Sequence, residues 1–248
     1  MPFATSSQLV FEKTPKYITL DGVAERMKKS LPDSDDLKII VVVCDPVKRA
    51  FSDYTHVIHS NPPVWEDALK HTYNNSFGSY LSKSIEYLES AFNNPTNRPD
   101  PTKNFQHFVH QIYKSDRPEL SILSNGLYSV LINQWLDVFS RDQFYFVSGE
   151  KLITDPSSEL MALEEWLGLP KFFKKENFKR SPKGFYCYNR ENSQSKEAYC
   201  MHGAKGKTRN GITGESIIPE KDQRILKEFY APFNRIFYRI VNQKFGWE

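Results

Sequence analysis

The hydrophobic pattern of the chain is strongest between Leu37 and Ile58, in the segment LKIIVVVCDPVKRAFSDYTHVI. Leu37 to Val43 form a short, β-branched and almost purely apolar run, which predicts a strand buried on both faces in a parallel sheet. Asp45-Pro46 then provides an N-cap and a first-turn proline, and apolar residues recur at helical spacing after it. The pattern predicts a helix that begins at the carboxyl end of the strand, where α/β proteins bind ligands.

A second strand and helix follow the same order later in the chain. Residues 121–139 have the apolar stripe of one amphipathic helix, which we interpret as core, and residues 143–148 form the next buried strand. Asp155-Pro156 predicts another helix start, and Gly168 with Pro170 predicts its end. The alternation of strands and helices over 248 residues predicts a single α/β domain.

The weaker patterns predict shorter elements. Near the amino terminus we expect a short strand over 8–11 and a helix over 21–30. Helical spacing is also present in 65–73, 80–92 and 104–113. The last segment has apolar residues at helical spacing from Ile225 to Ile240, and Pro232 predicts that it is split into two helices.

The polar stripe of the helix after Asp45-Pro46 is rich in basic and hydroxyl side chains: Lys48, Arg49, Ser52, Thr55, His56 and His59. Free N–H groups at a helix start, together with such side chains, favour an anion such as a phosphate. A polar face that is merely solvated fits the same spacing. The spacing alone leaves both interpretations open.

The charge distribution indicates a polyanionic partner. Residues 171–209 contain 11 Lys and Arg against 3 Glu, a surplus of 8, so the rest of a chain of net charge +3 sums to −5. Without a zinc-finger, RNP or helix-turn-helix signature, nucleic acid is not predicted, and a sulfated glycan or a polyphosphate nucleotide fits. The longest apolar run, 39–44, is too short to cross a bilayer, and no signal peptide opens the chain, so we expect no membrane segment.

Two further features fall within that basic segment. In GAKGKTR, the glycines at 203 and 206 allow the backbone to approach an anion closely. Lys205, Lys207 and Arg209 supply positive charge, with no acidic residue among them. The alternative interpretation is a solvated basic turn. Cys187 and Cys200 flank a polar loop, which is weak evidence for a disulfide by itself, and Cys44 is left over. No spacing of His, Cys or carboxylates indicates a metal site.

The string DPVKRAFSDYTHV resembles a segment of the heparan sulfate glucosamine 3-O-sulfotransferases, which holds the 3′-phosphate of the donor 3′-phosphoadenylyl sulfate (PAPS). Further matches are MPFATSSQLVFEKTPKYI, FVSGEKLITDP, KGFYC with YCMHGAKGK, and FYAPFNRIFYRIVNQKFGWE. They lie in family order over nearly the whole chain. The resemblance implies a P-loop-like sulfotransferase fold with a central parallel sheet flanked by helices.

The resemblance also implies roles for individual residues. Lys13 would lie at the reaction centre, between the donor sulfonate and the acceptor sugar. The donor would be bound by Ser52, Lys205, Gly206, Lys207, Thr208 and Arg209. The glycan would be contacted by Lys13, Thr14, Pro15, Lys16, His56 and His202. The family pattern implies a disulfide between Cys187 and Cys200, no required metal, and residence in the Golgi lumen or secretory pathway. Asn74-Asn75-Ser76 satisfies the glycosylation sequon, a pattern that is frequent by chance and matters only if the chain is secreted.

The chain departs from the family pattern in three places. A Lys-Gly-Gly-Thr loop and a proposed glutamate base precede the Glu-Lys-Thr-Pro segment in the family, whereas here only 11 residues precede Glu12. We therefore expect a sulfotransferase domain over 1–248 that lacks its first strand-loop-helix unit. Cys44 stands where the family has an arginine that reaches the 3′-phosphate, and Lys207 replaces an arginine.

The motifs, the family resemblance and the departures from it leave three possible functions. The leading hypothesis is a PAPS-dependent sulfotransferase that acts on the 3-hydroxyl of glucosamine in heparan sulfate. The alternative is a catalytically silent module that binds heparan sulfate, which the missing loop and Cys44 favour. A P-loop kinase relative ranks lowest because the chain has no Walker lysine.

Overall fold

A computed structural model describes residues 8–60, 73–74, 76–93, 118–182, 184, 186–189, 198–200 and 218–247. In this part of the chain the α-helices are α1 (Val23–Ser30), α2 (Pro46–Ser60), α3 (Phe77–Asn93), α4 (Ser121–Ser124), α5 (Tyr128–Leu136), α6 (Gly149–Thr154), α7 (Pro156–Leu167) and α8 (Glu220–Val241). The strands are β1 (Ile39–Val43), β2 (Phe144–Ser148), β3 (Phe178–Arg180) and β4 (Tyr186–Tyr188). Short 3-10 helices cover Tyr17–Thr19, Pro118–Leu120, Arg141–Gln143 and Lys175–Asn177.

Strands β1 and β2 form a parallel pair, as the sequence predicts. Their register joins Ile39 to Phe144 and Val43 to Ser148, so both strands end at the same level. Helix α2 begins three residues after β1, and α6 begins directly after β2. This edge of the sheet therefore carries two helix starts side by side.

Strand β1 is partly open on one face, which corrects the prediction of burial on both faces. Val43 is 2% exposed and packs in the core together with Ile39 and Val41, whereas Val42 on the opposite face is 61% exposed. Side chains alternate between the two faces of a strand, so Ile40 and Val42 share the second face, where Ile40 is half-buried and Val42 is exposed. Helix α7 covers the corresponding face of β2, where Trp166 lies 5.3 Å from Tyr145 between ring centroids.

Two clusters of buried side chains stabilise the fold. The helical core joins α2, α3, α4 and α8 through residues such as Tyr54, Tyr80, Leu123 and Tyr230. The sheet core joins β1 and β2 to α5, α8 and the carboxyl-terminal tail; it includes Val43, Trp135, Phe146, Phe237 and Trp247. Helix α8 contributes to both clusters.

The predicted helix over 121–139 is interrupted, although its apolar stripe is core as expected. Helix α4 ends at Ser124, and α5 begins at Tyr128 after a turn. A Cβ on Gly126 would lie 2.8 Å from the ring of Tyr230, so this turn lets the backbone approach α8 closely. The close contact with α8 therefore interrupts the single helix that the apolar spacing over 121–139 predicts.

The predicted split at Pro232 is also wrong, because α8 continues through this residue. A proline inside a helix removes the hydrogen bond to the carbonyl four residues earlier, here that of Glu228. Both residues are exposed, so water can satisfy this carbonyl. Buried residues on either side, Leu226 and Tyr230 before and Phe237 and Val241 after, hold the two halves in line.

The remaining predictions vary in accuracy. Helix α7 is capped as expected, with the Asp155 side chain accepting from the Ser158 N–H and Gly168 left-handed at φ 71°. The expected helices over 21–30 and 80–92 begin at Val23 and Phe77. The expected strand over 8–11 is wrong: this segment has no strand partner in the described chain, and Phe11 is 71% exposed. The helices expected in 65–73 and 104–113 fall almost wholly outside the described residues.

Candidate active site at the carboxyl edge of the sheet

A carboxylate joins the loop after β1 to the start of α6, which follows β2 directly. Glu150 Oε1 accepts a hydrogen bond of 2.7 Å from the backbone N–H of Asp45. Its second oxygen lies 3.4 Å from both Ser148 Oγ and Trp247 Nε1. A Cβ on Gly149 would lie 3.0 Å from the Val43 carbonyl oxygen, so the start of α6 and the end of β1 approach each other closely.

The start of α2 offers fewer N–H groups to an anion than the sequence suggests. Asp45 Oδ1 accepts from the Val47 N–H at 2.9 Å, and the Asp45 carbonyl accepts from the Arg49 N–H at 2.9 Å. Pro46 has no N–H. Within the described chain this leaves the Lys48 N–H as the first-turn donor without an acceptor.

The basic side chain of Arg49 is directed inward. It forms an ion pair with Asp53 and donates to the Ile122 carbonyl oxygen, and its side chain is only 14% exposed. Arg49 therefore braces α2 against α4. The cation at this helix start that remains exposed is Lys48.

Three side chains share the open face of α2. Lys48, Ser52 and His56 follow one another at intervals of four residues, which places them in a row on the helix. All three are exposed, and none makes a hydrogen bond or ion pair with another described residue. The structure thus brings the predicted donor residue Ser52 and the predicted glycan residue His56 together.

Cys44 is held as a neutral thiol at the end of β1. Tyr128 Oη lies 3.9 Å from its sulfur and donates to its carbonyl oxygen at 2.9 Å. Burial raises the pKa of the Cys44 thiol and raises the pKa of Tyr128. At neutral pH both groups are uncharged, so this position contributes no cation to the site.

The segment Lys13, Thr14, Pro15 and Lys16 is a loop that leads into the 3-10 helix at Tyr17. Gln134 of α5 donates to the Ile18 carbonyl oxygen at 2.7 Å, and Ile18 packs against both cores. The Lys13 and Lys16 side chains are exposed. No hydrogen bond or ion pair joins them to Ser52 or His56 in the described chain.

The disulfide between Cys187 and Cys200 is present, with a Cα–Cα distance of 4.5 Å. It closes a hairpin in which Tyr188 and Tyr199 exchange backbone hydrogen bonds of 3.0 and 2.8 Å. Tyr186 of this hairpin donates to the Thr154 carbonyl oxygen at 3.1 Å, at the end of α6. The hairpin is thereby attached to the helix that starts at the sheet edge.

The remaining predicted site residues lie outside the described residues. These are His202, Lys205, Gly206, Lys207, Thr208 and Arg209. Within the described residues there is no group of three potential metal ligands. None of the described helices is both long enough and apolar enough to cross a bilayer.

Sequence reasoning missed three residues that shape the site: Glu150, Tyr128 and Trp247. Glu150 carries a recognisable signal, because an acidic residue two positions after a buried parallel strand lies at the ligand-binding edge. Tyr128 and Trp247 resemble ordinary core aromatics in the sequence. Their polar contacts depend on partners 84 and 97 positions away.

Comparison with known proteins identifies the class. Residues 24–230 match the sulfotransferase domain. The crystal structure of a sulfotransferase from Alicyclobacillus acidocaldarius superposes with a TM-score of 0.52 at 19% identity, covering 92% of this chain and 63% of that one. The chain belongs to the sulfotransferase domain family, and the predicted α/β fold class is confirmed.

The more specific resemblance is confirmed as well. The chain is 31% identical over 251 residues to human heparan sulfate glucosamine 3-O-sulfotransferase 3B1, and 30% identical to mouse 3A1. Human 3-O-sulfotransferase 5 is 29% identical. All of this chain is covered in each case, against 52%, 52% and 59% of the relatives. The chain thus spans little more than half the length of the relatives it matches.

Proposed function

We propose that this protein transfers a sulfonate group from PAPS to the 3-hydroxyl of glucosamine in heparan sulfate. The observation that carries the proposal is that all of the chain aligns with enzymes named for this reaction. The row of Lys48, Ser52 and His56 on α2, the helix that starts at the carboxyl edge of the sheet, supports it. We further propose that the protein works in the Golgi lumen or secretory pathway, an oxidising setting in which the Cys187–Cys200 disulfide is stable.

The reaction breaks the bond between sulfur and the phosphate oxygen of the donor and forms a bond to the sugar oxygen. The phosphate departs with additional negative charge, and the sugar hydroxyl loses a proton to a base. Positioned hydrogen-bond donors and cations stabilise such developing charge. On this scheme Lys13 stabilises the departing phosphate.

The donor nucleotide would be anchored on α2. The Ser52 hydroxyl and the Lys48 N–H are both open for hydrogen bonds to its 3′-phosphate. Residues 205–209 follow the cystine hairpin that Tyr186 attaches to α6, and they would supply further cations. These groups suit a phosphate, although Cys44 provides neither charge nor a strong donor.

The acceptor glycan would contact the other exposed polar residues. His56 is one turn along α2 from Ser52, so a sugar beside it would adjoin the donor. Lys13, Thr14, Pro15 and Lys16 present an open loop, and Lys16 would pair with glycan sulfates. His202 would line the same cleft.

The direct test is transfer of radiolabelled sulfonate from PAPS to N-sulfated heparan sulfate, followed by disaccharide analysis. We expect label on the 3-hydroxyl of glucosamine. Replacing Ser52 by Ala should raise the KM for PAPS about tenfold or more, because a hydrogen bond to a charged group contributes roughly 1.5–3 kcal/mol. Ser82→Ala, an exposed serine on α3, is the matched control and should behave like the parent.

The second candidate, a heparan sulfate-binding module without catalysis, is favoured by the neutral Cys44 thiol and by the capped start of α2. Its signature is saturable binding of heparan sulfate together with absent transfer at any PAPS concentration. Transfer that is insensitive to Ser52→Ala would instead contradict the donor assignment. Label on another hydroxyl would contradict the assigned regiochemistry.

A further inference from the structure

A basic groove lies at the carboxyl-terminal end of α8, outside the site described above. It has a volume of about 870 Å³. Its cationic lining residues are Arg235, Arg239 and Lys244, with Asn242 and Gln243 beside them, and no acidic side chain lines it in the described chain.

The three cations are open to a ligand. Arg235 and Arg239 are four residues apart, so their guanidinium groups lie on one face of α8. Helix α8 ends at Val241, and the next residue, Asn242, is left-handed at φ 51°. Lys244 lines the same groove just beyond this cap. All three side chains are exposed, and none forms an ion pair with a described residue.

The negative end of the α8 dipole does not cancel this charge. It amounts to roughly half an elementary charge, against three cations in the groove. Arg141 also donates to the Val241 carbonyl oxygen at 2.5 Å and so neutralises part of this helix end. Asp142 beside Arg141 does not line the groove.

The lining favours a sulfated sugar over a nucleic acid. Single-stranded nucleic acids are bound by exposed aromatic rings on which bases stack, whereas Tyr238, the aromatic residue of the groove, is buried and 8% exposed. Sulfate groups need only planar, charged donors such as guanidinium, with amides to complete the hydrogen bonds. The groove offers these groups in Arg235, Arg239, Asn242 and Gln243.

We propose that the groove formed by Arg235, Arg239 and Lys244 is an accessory binding site for sulfated stretches of a heparan sulfate chain. The inference rests on the proposed function for its choice of polyanion. Lys244 is three residues from Trp247, at most about 11 Å in extended chain, and Trp247 contacts Glu150 at the sheet edge. Arg141 contacts both the Val241 and the Phe144 carbonyl oxygens, so the end of α8 lies beside the start of β2, at the edge of the sheet opposite to the candidate active site. The groove therefore holds parts of a long glycan that do not react.

The test is isothermal titration of a heparin octasaccharide into the parent protein and charge-reversed variants. We expect Arg235→Glu with Arg239→Glu to raise the dissociation constant at least about tenfold, and Arg235→Gln with Arg239→Gln to have a smaller effect. Lys221→Glu with Arg224→Glu makes the same charge change on exposed residues near the start of α8 and should change affinity far less. Circular dichroism confirms folding, and the glutamine pair decides the outcome if the reversed pair is unstable.

Two ligand controls separate the possible occupants. An unsulfated heparosan octasaccharide should bind weakly and respond little to the variants. Equal binding of a deoxythymidine 20-mer that is lost in the same variants would overturn the glycan assignment. Equal heparin affinity in the parent, the groove variants and the control pair would overturn the site itself.

Failure of the accessory site is distinguishable from failure of the proposed function. Binding is measured without PAPS and remains informative for a protein that transfers nothing. If transfer occurs, the groove variants should keep the parent kcat on a tetrasaccharide, which is too short to extend beyond the cleft, and should raise KM for long chains. A fall in kcat on the tetrasaccharide would contradict an accessory role.

Discussion

The carboxylate of Glu150 accepts a 2.7 Å hydrogen bond from the backbone N–H of Asp45, 105 residues earlier in the chain. The same carboxylate faces the Trp247 indole at 3.4 Å. One side chain, in the first turn of α6, thus connects this helix with the loop after β1 and the carboxyl-terminal tail. The position of the α2 start depends on this connection.

Replacing Glu150 by Ala should lower the free energy of unfolding by about 1–3 kcal/mol, because the Asp45 N–H loses its acceptor. Glu150→Gln keeps one amide oxygen for this N–H and should cost less than half as much. Urea denaturation followed by circular dichroism measures both values. An alanine variant as stable as the parent would show that the connection does not hold the loops together.

Cys44 provides a test by gain of affinity. Replacing it by Arg introduces a guanidinium group, which is always charged and can donate two parallel hydrogen bonds. The native thiol is neutral at this position because burial raises its pKa. We expect adenosine 3′,5′-bisphosphate to bind about tenfold or more tightly, from a charged hydrogen bond of roughly 1.5–3 kcal/mol. Isothermal titration measures the change, with Cys44→Gln as the uncharged control. If the two variants have the same affinity, the 3′-phosphate does not lie beside residue 44.

The disulfide is expected to stabilise the hairpin after β3. Replacing Cys187 and Cys200 by Ser removes a cross-link between residues 13 positions apart, for which a loss of about 2–3 kcal/mol is expected. Thermal unfolding of the parent in dithiothreitol should approach that of the double variant. Cys44→Ser, which retains the disulfide, should respond to dithiothreitol as the parent does, and an unresponsive parent would disprove the stabilising role.

The cap of α7 predicts a dependence of stability on pH. Hydrogen bonds from Ser157 and Ser158 lower the pKa of Asp155 from its ordinary 3.8 to about 2. The stabilisation is therefore complete above pH 4 and is lost as the pH falls from about 4 towards 2. Asp155→Asn still caps the helix without titrating, so its urea midpoint should decline less between pH 5 and pH 2.5. Parallel declines in the parent and the variant would contradict this assignment.

Local signals allowed much of the fold to be predicted. The β-branched run before Asp45-Pro46 and the Asp155 and Gly168 caps act within a few residues, and the structure places strand and helix ends close to those predicted. The turn at Gly126 and the continuity of α8 through Pro232 depend instead on packing between distant segments. A local pattern contains no information about these contacts.

The candidate site was predicted unevenly for the same reason. Ser52 and His56 share a face because four residues separate them on one helix, which the sequence shows directly. The roles of Lys13 and of residues 205–209 rest on family resemblance and stay predictions. Glu150 and Trp247 act through partners about a hundred positions away, and the inward turn of Arg49 depends on the Ile122 carbonyl.

The uninterrupted course of α8 has a consequence for how the molecule melts. Tyr230 belongs to the helical core and Phe237 to the sheet core. The two residues are seven positions apart on the same continuous helix. Unfolding of either cluster removes the packing contacts of about half of α8, so the two clusters should not unfold independently of each other. The described body should unfold in one cooperative, all-or-none step, with calorimetric and van't Hoff enthalpies that agree.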